Sequence, residues 1–178
     1  MKRKKTLLAV SLTGLLLLFL PQGATAQAAQ ELGMLEVSVQ VDGLSCPFCA
    51  YGLEKKLRKV ENVARIEIRV DEGRAVVTPE SGTSLELDEL ERAVRDGGFT
   101  PRDVSVTARG RLTELNGAAA LELSNGILLL LAEGGQTNAL LRSPTGSVVR
   151  VEGQAALEQP RGHAGHPYTL TVRSFEVG

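Results

Sequence analysis

Aromatic residues are scarce in this 178-residue chain, at 3%, and tryptophan is absent. Its cores must therefore be aliphatic and small. The aromatic and basic face on which nucleic acid is usually read is missing as well. Cysteine occurs only twice, at Cys46 and Cys49, too few to close the four-ligand shell of a structural zinc site. Histidine also occurs twice, at His163 and His166, and no lysine follows Val106.

What is present begins with a leader. Lys2, Arg3, Lys4 and Lys5 form a basic region, Leu7 to Leu20 an apolar one, and Pro21 to Ala26 a short stretch ending in Ala24-Thr25-Ala26. This reads as a secretory signal peptide over residues 1–26, cut after Ala26, or after Ala28 if Ala26-Gln27-Ala28 is used. The apolar run is shorter than the ~20 residues that span a bilayer, so membrane contact is expected only through this segment if it stays uncleaved. No cysteine follows the run to take a lipid. Without the leader, 16 basic residues face 21 acidic ones, a net charge of −5. A mildly acidic protein is a poor nucleic-acid binder. Export places the product in the periplasm or outside the cell, where an unprotected cysteine pair tends to oxidise.

Both cysteines lie in Gly43-Leu44-Ser45-Cys46-Pro47-Phe48-Cys49. Before it, Leu35, Val37, Val39 and Val41 alternate with polar residues as in a half-buried strand. After it, Ala50, Leu53, Leu57 and Val60 mark one face of a helix. The pair thus sits where a strand turns into a helix, and Pro47 suits that first turn because its missing N–H costs nothing there. The positive end of the helix dipole favours thiolates. Two such sulfurs can grip one soft ion or close on each other as a disulfide.

Further along, Ile66, Ile68 and Val70 alternate as a second strand, Asp71-Glu72-Gly73-Arg74 has hairpin chemistry, and Ala75 to Thr78 returns as a third. Leu87, Leu90, Ala93 and Val94 share one face of a helix over residues 87–96, closed by Gly97 and Gly98, and Val104 and Val106 give a last strand. The order strand, helix, strand, strand, helix, strand is the ferredoxin-like α+β unit. With Gly43-Leu44-Ser45-Cys46-x-x-Cys49, Val60-Glu61-Asn62-Val63 and Gly97-Gly98-Phe99, residues 33–107 resemble the heavy-metal-associated domain. That family includes copper chaperones, metal-binding modules of copper-transporting ATPases and the periplasmic mercury-binding protein of mercury-resistance systems. The resemblance implies that Cys46 and Cys49 are the metal ligands. It implies too that Leu44, standing where methionine is usual, fills the core beneath the loop, and that Ser45 keeps the hydroxyl of the commoner threonine. Phe99 matches the residue that packs against the metal loop, an aromatic in ATPase-type and mercury-binding members. Pro47-Phe48 between the cysteines is less usual for the family.

Over residues 108–178 glycine becomes frequent and short apolar runs appear at Ala118 to Leu123, Ile127 to Ala132, Ala139 to Leu141, Ser147 to Val151 and Tyr168 to Val172. Asn125-Gly126 between two of them is a hairpin signal. This spacing predicts a small all-β domain, best matched by a five-stranded barrel of the oligonucleotide- and oligosaccharide-binding type. Its ligand does not follow from its fold.

The expectation is an exported, non-enzymatic carrier of one soft ion, Cu(I) first, with Hg(II) or Zn(II) as alternatives. Its partners would be donor or acceptor proteins with thiolate or thioether ligands. Other readings stay open: a thiol–disulfide oxidoreductase using Cys46-Pro47-Phe48-Cys49, with Thr100-Pro101 imitating a proline that faces the disulfide; an idle disulfide; or an interaction module in which the barrel does the work. Lys55, Lys56, Arg58 and Lys59 form either a steering patch or a solvated helix face with Glu54 pairing to Arg58. His163 and His166 form either an accessory metal site or two imidazoles in a glycine-rich loop.

Overall fold

The computed structural model describes residues 32–124, 126–156 and 168–178. The expected leader, His163 and His166 lie outside the described residues. Eleven elements follow one another among them: β1 (Gly33–Asp42), α1 (Pro47–Leu57), β2 (Val63–Arg69), β3 (Arg74–Pro79), α2 (Leu87–Asp96), β4 (Thr100–Leu115), β5 (Ala118–Glu122), β6 (Leu128–Leu131), α3 (Gly135–Leu140), β7 (Val148–Ala156) and β8 (Thr169–Val177).

The first six form the expected ferredoxin-like unit, an antiparallel sheet in the order β2-β3-β1-β4. Helix α1 packs on α2 and β2, and α2 packs on β4, so both helices cover one face. Leu53, Leu57, Leu87, Leu90 and Val94 meet Val37, Val39, Val77, Val104 and Val106 there, each at most 1% exposed. The alternation in β1 is interrupted once. A bulge between Met34 and Glu36 moves Met34 into the buried row and leaves Leu35 half-buried, as an extra residue in one strand does.

Strand β4 does not stop at Val106. It runs for 16 residues, with Thr100 to Arg109 along β1, Arg111 to Leu115 along β5, and Val104 to Arg111 along β7. Strands β4, β5, β6, β8 and β7 then close into a ring, with β6 and β8 parallel and the other pairs antiparallel. The division expected between residues 107 and 108 falls inside β4, and one hydrophobic cluster runs from Met34 to Val172 through both parts.

The passage of β4 from β1 to β5 depends on Gly110. A Cβ there would sit 2.5 Å from Leu121 Cγ and 2.6 Å from the carbonyl oxygen of Glu122. The all-β expectation is corrected at one point: the apolar run Ala139 to Leu141 belongs to the end of α3 rather than to a strand. Leu140 is fully buried in that helix, and Thr137 is 2% exposed.

The later part of the chain also holds the first. Glu86, the N-cap of α2, makes no side-chain cap bond. The Tyr168 hydroxyl accepts the free N–H of Leu87 at 3.1 Å and donates to Glu86 Oε2 at 3.1 Å. A tyrosine 81 positions away thus satisfies one of the orphan donors of a helix start. Burial, then the Glu86 and Asp88 carboxylates, push the phenol well above its ordinary value.

Two tests follow. Tyr168→Phe is expected to lower unfolding free energy by about 1 kcal/mol, the scale of a lost cap. Because the folded state holds the phenolic proton more tightly than the unfolded chain does, wild-type stability declines as pH rises above about 10, and the variant lacks that part of the decline. Denaturant melts at several pH values measure both effects. Gly110→Ala is expected to cost about 2 kcal/mol or more, because the approaching atoms include β5 backbone that cannot move aside.

Candidate metal centre

The site is assembled where β1 ends. Gly43 takes φ 87°, a left-handed turn that suits glycine. Leu44 then turns inward and is 5% exposed, while Ser45 points to solvent. Cys46 is the N-cap of α1 with extended backbone, Pro47 opens the helix, and the N–H of Ala50 closes its first turn on the Cys46 carbonyl at 3.0 Å. The Cys46 Sγ accepts the N–H of Cys49 at 3.1 Å, standing where a serine or aspartate oxygen usually caps.

Both cysteines are half-buried, their Cα atoms lie 5.1 Å apart, and they are joined as a disulfide. Cys49 and Ala50 pack against the core, so the loop has a rigid floor and an open roof.

The loop is held from the side by the end of α2. Gly98 reverses the chain at φ 86°, and the N–H of Phe99 returns to the Val94 carbonyl at 3.2 Å. The half-buried Phe99 ring lies against the loop base, with Cδ1 3.7 Å from where a Cβ on Gly43 would be. Asp42 and Arg102 form an ion pair of 2.6 Å between the adjoining ends of β1 and β4. Both side chains are about half exposed, so the pair adds little stability. Glu54 pairs with Arg58 as the helix spacing suggested, and Lys55 Nζ lies 4.7 Å above the Tyr51 ring.

Of the residues singled out from the sequence, Leu44, Ser45, Cys46, Cys49 and Phe99 come together here. His163 and His166 lie outside the described residues. Pro101 sits in β4 opposite Val41. Among the described residues no group of three or more histidine, cysteine, aspartate or glutamate side chains could hold a metal. The Asp42–Arg102 pair was not foreseen, since 60 positions separate its partners and only the β1–β4 register joins them.

A ferredoxin-like unit that presents a Cys-x-x-Cys pair at the start of its first helix defines a small sulfur-ligand domain. The heavy-metal-associated domain model matches residues 38–100. The mercuric transport protein periplasmic component of Shigella flexneri is 32% identical over 63 residues, covering 35% of this chain and 68% of that protein. Among solved structures, the CopZ metallochaperone aligns at 19% identity over 38% of this chain and 98% of its own, with a TM-score of 0.34. Oxidised MerP from Ralstonia metallidurans CH34 aligns at 25% identity over 39% of this chain and 94% of its own, with a TM-score of 0.35. The chain belongs to the heavy-metal-associated domain family.

The burial pattern of the loop is testable. Leu44→Ala is expected to destabilise the fold by about 2–4 kcal/mol, the range for truncating a buried leucine. Ser45→Ala, at an exposed position, is expected to stay within about 0.5 kcal/mol of wild type. Urea unfolding of the two variants under identical conditions makes the comparison.

Proposed function

We propose that the chain carries one soft metal ion, Cu(I) first and Hg(II) as the nearest competitor, on Cys46 and Cys49, and passes it to a protein with thiolate or thioether ligands. The observation that carries this reading is the N-cap position of Cys46, with its sulfur on the Cys49 N–H at 3.1 Å. In the reduced state the same N–H and the helix dipole stabilise a thiolate. Two electrons and two protons from a thiol reductant open the disulfide to two thiols, and the arriving ion displaces those protons. Soft sulfur ligands select Cu(I) or Hg(II) over hard ions. Two ligands leave the shell open, and an open shell lets an incoming sulfur join before either cysteine departs. Zn(II), which normally closes four ligands, fits this site less well.

Leu44 and Phe99 keep the loop from collapsing as the ion comes and goes, and Ser45 leaves its approach polar. The chain performs no catalysis in this reading. Membership of the heavy-metal-associated family supports ion carriage over thiol–disulfide exchange by the same pair. The leader pattern of residues 1–26 and a relative described as periplasmic support action outside the cytoplasm. Residues 33–107 are the metal-binding part, and residues 108–178 complete the barrel together with the shared strand β4. The ring order β4-β5-β6-β8-β7 supports the oligonucleotide- and oligosaccharide-binding type for that barrel.

Titration of the reduced mature protein with Cu(I), Zn(II) and Hg(II) tests the reading. One equivalent of Cu(I) or Hg(II) is expected to bind, with Zn(II) bound far more weakly. Cys46→Ser is expected to lose at least about tenfold in Cu(I) affinity, since one of two ligands is gone. Equal uptake by wild type and C46S would remove the pair from the site. The same titration on a His163→Ala, His166→Ala variant reads the accessory site: unchanged stoichiometry and affinity dispose of it.

A further inference from the structure

Helix α2 meets the barrel at one end and the cysteine loop at the other. At its start Glu86 gives no side-chain cap, and the Tyr168 hydroxyl takes the Leu87 N–H and donates to Glu86 Oε2, both at 3.1 Å. Tyr168 is itself held, because its carbonyl accepts the Leu130 N–H of β6 at 2.8 Å. The other end of α2 lies about 15 Å away, the length of a ten-residue helix, and there Gly98 turns the chain back into Phe99. The Phe99 ring stands between two glycines. Its Cδ2 is 3.0 Å from where a Cβ on Gly97 would be, and its Cδ1 is 3.7 Å from where one on Gly43 would be. Gly97 closes α2 and Gly43 opens the cysteine loop, so the ring is a wedge between helix end and loop. Leu87, Leu90 and Val94 bury the inner face of α2 completely, but apolar contact is non-directional and leaves a helix free to slide or roll by small amounts. Two hydrogen bonds to one hydroxyl remove that freedom, since they hold only over narrow distances and angles.

We propose that Tyr168 is a positioning residue for the metal loop: by tying the start of α2 to the barrel, it sets where Phe99 presses on the loop and how closely Cys46 and Cys49 are held together. Its effect on the ion rests on the ion-carrier reading, and its effect on the disulfide does not. A loop pressed into one shape keeps each sulfur at a high effective concentration for the other. Gripping one ion with both sulfurs and closing them on each other then both cost less ordering. Without the tie α2 keeps its burial, the ring backs off the loop, and both reactions weaken together. The barrel thereby takes part in the metal centre without touching it.

Tyr168→Phe tests this in two readouts. Cu(I) affinity of the reduced protein is measured by competition with a chromophoric chelator. The metal-free pair is equilibrated with glutathione, two thiols of which open the disulfide and leave as one glutathione disulfide. The expected result is a Cu(I) affinity lowered by roughly threefold or more, near the low end for residues that act without touching the ligand. The glutathione equilibrium is expected to move about as far toward the open thiols. Val149→Ala, a buried truncation in β7, costs stability without touching the tie and is expected to move neither readout. Glu86→Ser added to Tyr168→Phe gives α2 a cap of its own, so stability is expected to return while both readouts stay shifted. In a Phe99→Ala background Tyr168→Phe is expected to add nothing further, although residues at opposite ends of a helix otherwise act independently. Wild-type readouts in Tyr168→Phe, an equal shift in Val149→Ala, full recovery with Glu86→Ser, or an effect undiminished by Phe99→Ala would each overturn the proposal. Failure of the wild type to take up Cu(I) would sink the carrier reading alone, because the glutathione equilibrium needs no metal.

Discussion

Strand β4 is the constraint on which the rest of the structure depends. It is paired along both edges over its middle, with β1 on one side and β7 on the other, and past Gly110 it pairs with β5. One 16-residue segment therefore closes the ferredoxin-like sheet and opens the barrel. The edge that a four-stranded sheet would leave free for association is covered by β7 from Val104 to Arg111. At its start the same strand borders the cysteine loop, through Thr100 opposite Asp42 and through the Asp42–Arg102 pair. Tyr168 adds a second tie by capping α2, the helix whose far end delivers Phe99 to the loop.

This rigidity suits the ion exchange proposed for the site. The cysteines contribute little to the core beyond the packing of Cys49. Leu44, buried beneath them, and Gly43, turning the chain above Leu44, separate the mobile chemistry from the fixed fold. The helix start supplies N–H groups and a dipole whichever state the sulfurs are in. Stability is thus placed in the sheet and helices, and reactivity in a bend of a few residues.

The first half of the fold was legible because each element there carries its own period. Val37, Val39 and Val41 alternate, Leu87, Leu90, Ala93 and Val94 follow helical spacing, and Gly73 and Gly98 mark turns that need positive φ. The site loop was legible for the same reason, since its glycine, proline and cysteines each have a local role. The reach of β4 was not. Its inward positions after Val106 are Ala108, Gly110 and Leu112; the first two are small and interrupt the apolar signal before Leu112, and close neighbours require the glycine at 110. Helix α3 was missed because six residues of Gly-Gln-Thr-Asn-Ala-Leu carry no helical periodicity, and only the burial of Thr137 and Leu140 gives it an inward face. Contacts such as Tyr168 with Leu87 join distant positions through the tertiary fold and leave no local trace in the chain.

The proposed carrier holds its ion on two sulfurs at the first turn of α1, with no further protein ligand, in a shell open to a partner. X-ray absorption at the copper edge of the reduced, Cu(I)-loaded mature protein tests it most directly. Sulfur is expected as the only protein scatterer, with two sulfurs for each copper. A nitrogen shell from imidazole, or a closed set of four ligands, would contradict it.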